Sequence, residues 1–523
     1  MLLIFSAGAI QHAQAQTFTT IHSFETWGSG DGVMPLAGLA RDSAGNLYGT
    51  TAYGGNSGDC TNGAGCGTVF KIDPSAHETV IYRFSPPDGT NPYAGFVFDS
   101  AGNLYGTTSD GGAEGGGTVF KIDPSGYETV LDSFSPSDGI NPMGGVVFDS
   151  AGNLYGTTAH GGSGVDCYYG SGDGGCGTVF KLDPYGNYSV LHTFGSSPDD
   201  GKNPAAGLVI DPADNLYGTT YGGGSTGNGS VFKLDPSGNY SMLHSFAGGG
   251  YGWGPYASLL RDSAGNLYGT TQAGGDATTC LTFGCGTVFK IDPSGNETVL
   301  HSFDYHDGGG IGPVAGLIMD PAGNLYGTTE WGGSDGGTVF KLDPYGSYSV
   351  LHTFTGSDGE NPEAGLLMDP SGNLYGTTSH GGSSDNGTIF KITLTTPFSA
   401  FDAKLNVTAG PHARFQLKAT FTQGSAGGAI DPVTQGMMLA IGPYNATIPA
   451  GEFHMRNRGL FVYEGTINGA ALQIRILQTR TNSYQVQLEA SGMDLTSFTN
   501  PVPVTLTIGS NTGTTQVTAA HGL

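Results

Sequence analysis

The residues of this chain that could do chemistry are six cysteines, thirteen histidines and a thin scatter of carboxylates and aromatic rings. The cysteines fall as Cys60/Cys66, Cys167/Cys176 and Cys280/Cys285, each pair inside one glycine-rich stretch. Local disulfides are the simple reading. A zinc site needs four ligands converging from separate loops, and no Cys-x-x-Cys step is present. Aspartates recur at Asp31, Asp88, Asp138, Asp200, Asp307 and Asp358, several within Asp-Gly-x-Asn-Pro. A ring of carboxylates would suit Ca²⁺, but each also stands where an Asx turn needs it, and no stretch has the oxygen density of a calcium loop. No metal or other cofactor is therefore expected, calcium being the alternative kept open.

Catalysis finds little purchase. His22, His192, His244, His301 and His352 repeat at one strand position and read as structural. His160 and His380 each precede a Gly-Gly pair, yet no Ser/His/Asp or Cys/His set assembles around them. Glu363 alone brings a carboxylate to the start of an innermost strand, whereas a glycosidase needs two at a controlled separation. No catalytic residue is assigned. Recognition is the better match: Tyr53, Tyr221 and Trp331 also stand at or beside Gly-Gly, and GGGYGWGPY holds Tyr251, Trp253 and Tyr256. Such rings stack on sugars or bury apolar partner groups. With His160 and His380 they form the expected ligand-binding set, packing over the sheet tops being the alternative.

The elements that must hold these residues come from a repeat. Leu-Tyr-Gly-Thr-Thr recurs with its tyrosine at Tyr48, Tyr105, Tyr155, Tyr217, Tyr268, Tyr326 and Tyr375, a spacing of one propeller blade. Residues 92–134 display a whole unit of four strands: PYAGFVFD, NLYGTT, GTVFKID and ETVLDSF. Asp-Ser-Ala-Gly-Asn and Asp-Pro-Ser-Gly join them in tight turns. The seventh unit lacks a fourth strand, and Phe18–Phe24 supplies one at the other end of the chain. The sequence thus predicts an all-β fold: a seven-bladed β-propeller over residues 16–395 closed by its N-terminal strand, leaving no open sheet edge. The turns of each unit repeat monotonously. The loops after the second and fourth strands vary, and that variable face is where a partner is expected.

At LYGTT, GG and GTVFK the chain resembles the GloVer tandem-repeat family of secreted bacterial proteins, a choice-of-anchor group described as carrying varied C-terminal anchors. The resemblance spans about residues 17–395 and implies extracellular placement and no particular reaction. The blade order also resembles that of NHL-type propellers, an analogy of fold that licenses no function.

Residues 1–15, MLLIFSAGAIQHAQA, resemble a secretory signal ending in Ala13-Gln14-Ala15. No later run reaches the 18 or so apolar residues of a membrane span. Residues 398–523 alternate apolar and polar side chains, as in RFQLKATF and ALQIRIL, and predict a small β-sandwich, with Arg456 and Arg458 at one edge. That segment holds 7 Lys/Arg against 6 Asp/Glu, so the net charge of −26 belongs to the repeats and argues against a nucleic-acid partner. The reading is a secreted or cell-surface protein binding an extracellular glycan, or a surface protein, through the variable loop face. The alternatives are a polysaccharide-active hydrolase or lyase and a structural surface protein.

Overall fold

A computed structural model describes residues 16–523 apart from 56–59, 61–64, 164–166, 168–174, 276–279, 281–283, 305–307, 334–335, 395, 398–399, 409–413, 424–429, 442–443, 458, 468–469, 481, 492–501, 509–510, 518–519 and 523. The signal expected over 1–15, and Asp307 and Arg458, lie outside the described residues. Regular structure among the described residues is strand, apart from one short 3-10 turn at Gly249–Tyr251. The chain divides into two compact units, one of Phe18–Leu367 with Tyr375–Lys391, the other including Met368–Leu374 and Ile392–Leu523.

Among the described residues seven sheets have four strands each. In the second, Val97–Phe98, Leu104–Thr108, Thr118–Ile122 and Glu128–Ser133 follow one another as an antiparallel meander. The innermost strand, at 2 residues, is shorter than the roughly five to seven the sequence predicts. Pro92 has no N–H for a ladder, and Asn91 before it sits at φ 58° in the left-handed region. The carbonyl of Ala94 is taken by a hydroxyl of the preceding sheet, Thr50 Oγ1 at 3.4 Å.

That contact explains the motif's paired threonines. The first crosses to the next sheet: Thr107 donates to Gly144 O at 3.1 Å, Thr157 to Ala206 O at 2.8 Å, and in the last unit Thr377 to Ala37 O of the first at 3.2 Å. The second stays within its sheet, Thr51 Oγ1 lying 2.8 Å from Thr68 Oγ1. The motif's glycine is a packing requirement, since a Cβ on Gly49 would stand 2.4 Å from the Phe70 ring. Ring pairs then join neighbouring sheets edge to face at 5.0–5.3 Å, from Phe24/Phe70 and Phe84/Phe120 through to Phe354/Phe390.

Turn chemistry fixes the other end of each sheet. Asp99 Oδ1 accepts the N–H groups of Ala101 and Asn103 at 2.9 Å, while Oδ2 accepts Asn103 Nδ2 at 2.6 Å and the Tyr105 hydroxyl at 3.1 Å. Burial works to raise the Asp99 pKa, and these hydrogen bonds outweigh it and hold the carboxyl below its usual range. Gly102 occupies φ 82°, and the one unit with aspartate there keeps the same conformation, Asp214 at φ 59°.

Gln16–Ser23 lies beside Thr388–Leu394 in the sheet of the seventh unit. Phe24 N–H donates to Gly387 O at 3.0 Å, and Met34 N–H to Asn386 O at 2.9 Å. Beyond Leu394 a five-stranded and a seven-stranded sheet share one core, with Leu405, Leu417, Ile474 and Leu488 from one and Leu439, Ile441, Val504 and Leu506 from the other.

Candidate functional site

Each linker between sheets forms a bridge with the loop that follows the second strand of the next sheet. The pairs are Val33/Tyr53, Thr90/Asp110, Ile140/His160, Lys202/Gly222, Trp253/Ala273, Ile311/Trp331 and Glu360/His380. Both kinds of variable loop therefore lie side by side at one end of the sheets. Three of the loops are closed by the expected disulfides, Cys60–Cys66, Cys167–Cys176 and Cys280–Cys285, with Cα separations of 5.7, 5.2 and 5.4 Å.

After its bridge every linker passes through a proline, and the residue after it, just before the inner strand, changes from unit to unit: Leu36, Tyr93, Met143, Ala205, Tyr256, Val314 and Glu363. Several of these meet from sheets that are not neighbours. The Tyr256 hydroxyl of the fifth sheet lies 3.5 Å from Met143 Sδ of the third. Tyr256 also feels the charge of Glu363 in the seventh, and Tyr93 of the second lies within the electrostatic reach of Tyr256. Side chains from four sheets thus converge on one mouth.

The residue that follows each Leu-Tyr-Gly-Thr-Thr varies as well: Ala52, Ser109, Ala159, Tyr221, Gln272, Glu330 and Ser379. Burial and the facing Glu363 push the Glu330 pKa up to about 7. Burial raises Glu363 too, against the Ser379 hydroxyl that donates to it at 2.8 Å and the nearby His380. Ser379 Oγ lies 2.9 Å from His380 Nδ1. Tyr53 and Tyr93 share a hydrogen bond between hydroxyls at 3.0 Å, and Tyr221 meets Tyr256 edge to face at 6.1 Å. The mouth therefore offers ring faces, phenolic hydroxyls and two carboxyl groups whose pKa values burial raises.

Of the residues expected from sequence, Tyr53, Tyr221, Tyr256 and His380 belong to this cluster. His160 stands at its edge, half-buried, with Nδ1 3.2 Å from Asn141 Oδ1 and its pKa lowered by burial. Trp331 is 44 % exposed and packs over Gly312. Trp253 is half-buried. Tyr251 lies further out, beside Val299–Ser302 in a surface groove of about 580 Å³. Exposed rings are not confined to this end, for Tyr127, Tyr185 and Tyr345 stand on turns at the other. Tyr93, Met143, Glu330 and Ser379 were not singled out by sequence reasoning. The signals were two variable columns, the residue after each linker proline for Tyr93 and Met143 and the residue directly after Thr-Thr for Glu330 and Ser379.

The linker aspartates are locally occupied: Asp88 accepts the Tyr82 hydroxyl at 2.7 Å and Ser85 Oγ at 2.6 Å, and Asp358 accepts Thr355 N–H at 2.8 Å and lies 2.9 Å from His352 Nε2. Among the described residues no three His, Cys, Asp or Glu side chains group as metal ligands. No described helix is long and apolar enough to cross a membrane.

Solved structures similar to the chain include a gluconolactonase of Xanthomonas campestris, at 13% identity and TM-score 0.36 over 64% of this chain and 89% of that one. Dipeptidyl peptidase 4 of Porphyromonas gingivalis matches at 10% identity and TM-score 0.38, over 73% of this chain and 57% of the peptidase. TolB of Acinetobacter baumannii matches at 13% and 0.33, over 54% and 58%. Likeness at this level speaks to neither activity nor ligand. No curated protein matches the chain in sequence. A family model described as the Gloeobacter/Verrucomicrobia repeat matches residues 5–167, 166–310 and 277–425.

Proposed function

The chain belongs to the Gloeobacter/Verrucomicrobia repeat family, and from that premise we propose that it is a secreted or cell-surface glycan-binding protein. Its first 15 residues act as an export signal. Residues 16–395 form a seven-bladed β-propeller closed by the N-terminal strand, and residues 398–523 form an accessory β-sandwich, the place where the family's choice of anchor falls. Three disulfides favour an oxidising compartment. The return of Thr377 to Ala37 supports closure of the ring.

The carrying observation is the convergence of Tyr93, Met143, Tyr256 and Glu363 from four separate sheets. Rings with an apolar face and a hydroxyl edge, next to a carboxyl group, match a polyhydroxylated ring ligand. A glycan array probed with the full chain and with Tyr256→Ala and Trp331→Ala tests it. Signal on defined glycans that Tyr256→Ala abolishes is expected, and an array silent for every form would refute the reading.

One observation favours a second reading, a hydrolase or lyase. Glu330 and Glu363 face each other, and a carboxyl group with a pKa near 7 suits general acid catalysis. Glu330→Gln should then abolish polysaccharide turnover while leaving binding intact. Absence of turnover by the wild-type chain on acidic and neutral polysaccharides would remove this alternative.

A further inference from the structure

The seven-stranded sheet of the C-terminal unit turns one face to its core and the other to solvent. Leu405, Leu417, Leu488 and Ile474 point inward, and the residues alternating with them are exposed or half-buried. Register brings those outward residues into rows across the strands. One row reads Asn406, Gln416, Glu489, Gln473, Glu464. Within it the amides and carboxylates pair, Gln416 Nε2 donating to Glu489 at 3.1 Å and Gln473 Nε2 to Glu464 at 2.7 Å. This row floors an open groove of about 800 Å³.

Cations flank the groove on both sides. One residue pair further along the strands, Lys404 stands opposite Lys418, and Arg475 lies two strands away across Gln487. Arg414 lines the opposite flank. Like charges placed directly opposite, about 5 Å apart, work against a sheet. Asp402 lies beyond the basic row, and Glu464 and Glu489 are bound by glutamine amides. Among the described residues none of the four cations forms an ion pair. Four of the seven cations of residues 398–523 stand in the rows beside this groove, on a chain whose net charge is −26. An unneutralised row that costs stability and borders a floor of hydrogen-bonding groups is explained by an anionic ligand.

We infer that this outer sheet face is a second binding site, independent of the loop mouth, for an acidic polysaccharide. Glutamine amides and glutamate oxygens would meet sugar hydroxyls, while Lys404, Lys418, Arg475 and Arg414 meet carboxylates carried on successive rings. The floor exposes no aromatic platform, which separates this ligand class from neutral chains held by stacking.

Affinity electrophoresis of the full chain in gels containing polygalacturonate tests the proposal, with dextran gels as the neutral comparison. Retardation in polygalacturonate alone, weakening as salt rises, is expected. Lys404→Gln/Lys418→Gln/Arg475→Gln should weaken it by roughly tenfold or more, while Lys121→Gln, the same loss of charge in the second four-stranded sheet, leaves it unchanged. The triple variant should melt no lower than the wild type, since it relieves the opposed lysines. Equal retardation of wild type and triple variant, equal retardation in dextran, or binding to phosphatidylglycerol vesicles but not to polygalacturonate would each overturn the inference.

Discussion

The two ends of the seven four-stranded sheets are built from the same strands and obey opposite rules. At the turn end one solution repeats: an aspartate accepts two backbone N–H groups, an asparagine amide and, in most units, the tyrosine hydroxyl of the motif. At the loop end the backbone scheme repeats, each linker bridging the next loop, but the residue after each linker proline runs from leucine and tyrosine to methionine and glutamate. Where a polar group repeats, its bonds are consumed by the frame. Where it changes from unit to unit, its bonds run to other variable side chains, as from Ser379 to Glu363 and between Tyr53 and Tyr93.

Breaking the turn end should cost most. Asp320→Ala removes the acceptor for the Tyr326 hydroxyl and for the Asn324 amide, residues 1% and 6% exposed, along with two turn N–H groups. A loss of about 2–4 kcal/mol is expected in urea unfolding, because buried donors are left without partners. A smaller loss, about 2 kcal/mol, is expected when Cys167 and Cys176 are both replaced by alanine, since that bridge closes a loop with a separation of only 9 residues. If the disulfide variant proves the weaker of the two, the turn end is not the rigid one.

Much of this contrast could be read from the chain. The repeat of Leu-Tyr-Gly-Thr-Thr and the missing fourth strand led to the pairing of Gln16–Ser23 with Thr388–Leu394, because strand counting depends only on period and turn chemistry. The disulfides and the glycine-for-aspartate exchange at Asp214 were legible for the same reason. The mouth was not. Glu330 and Glu363 stand 33 positions apart in sequence, one after the second strand of the sixth sheet and the other in the linker to the seventh, and the fold brings each within reach of the other's charge. The short inner strand escaped as well, since its lost ladder depends on a threonine of the preceding sheet reaching the Ala94 carbonyl.

The carboxyl pair gives a smaller, pH-dependent difference between the ends. Glu330 titrates near 7 in the folded chain and near 4.5 as an ordinary glutamate. The protonated form is the one folding favours, so its contribution is fully present below pH 4.5 and is lost as pH rises to about 7. Glu330→Gln should therefore match the wild type in thermal melts at pH 4 and melt higher at pH 8. Equal melts at pH 8 would mean the mouth is wetter than its burial implies.

The smallest stability effect belongs to the residues with the most to do. Tyr256 is 40% exposed, held by Tyr221 and Met143, and its removal leaves no buried polar atom behind. Tyr185, on a turn at the other end, is 90% exposed. Both Tyr256→Ala and Tyr185→Ala should change unfolding free energy by no more than about 0.5 kcal/mol, as surface substitutions do. Their effects on glycan retention should nevertheless divide: Tyr256→Ala loses it, and Tyr185→Ala keeps it. Exposure is greater at Tyr185, so a ligand that simply sought bare aromatic rings would show the reverse order. The expected order arises only if rings gathered from several sheets bind better than a lone ring on a repeated turn, and retention tracking Tyr185 would move the binding surface to the turn end.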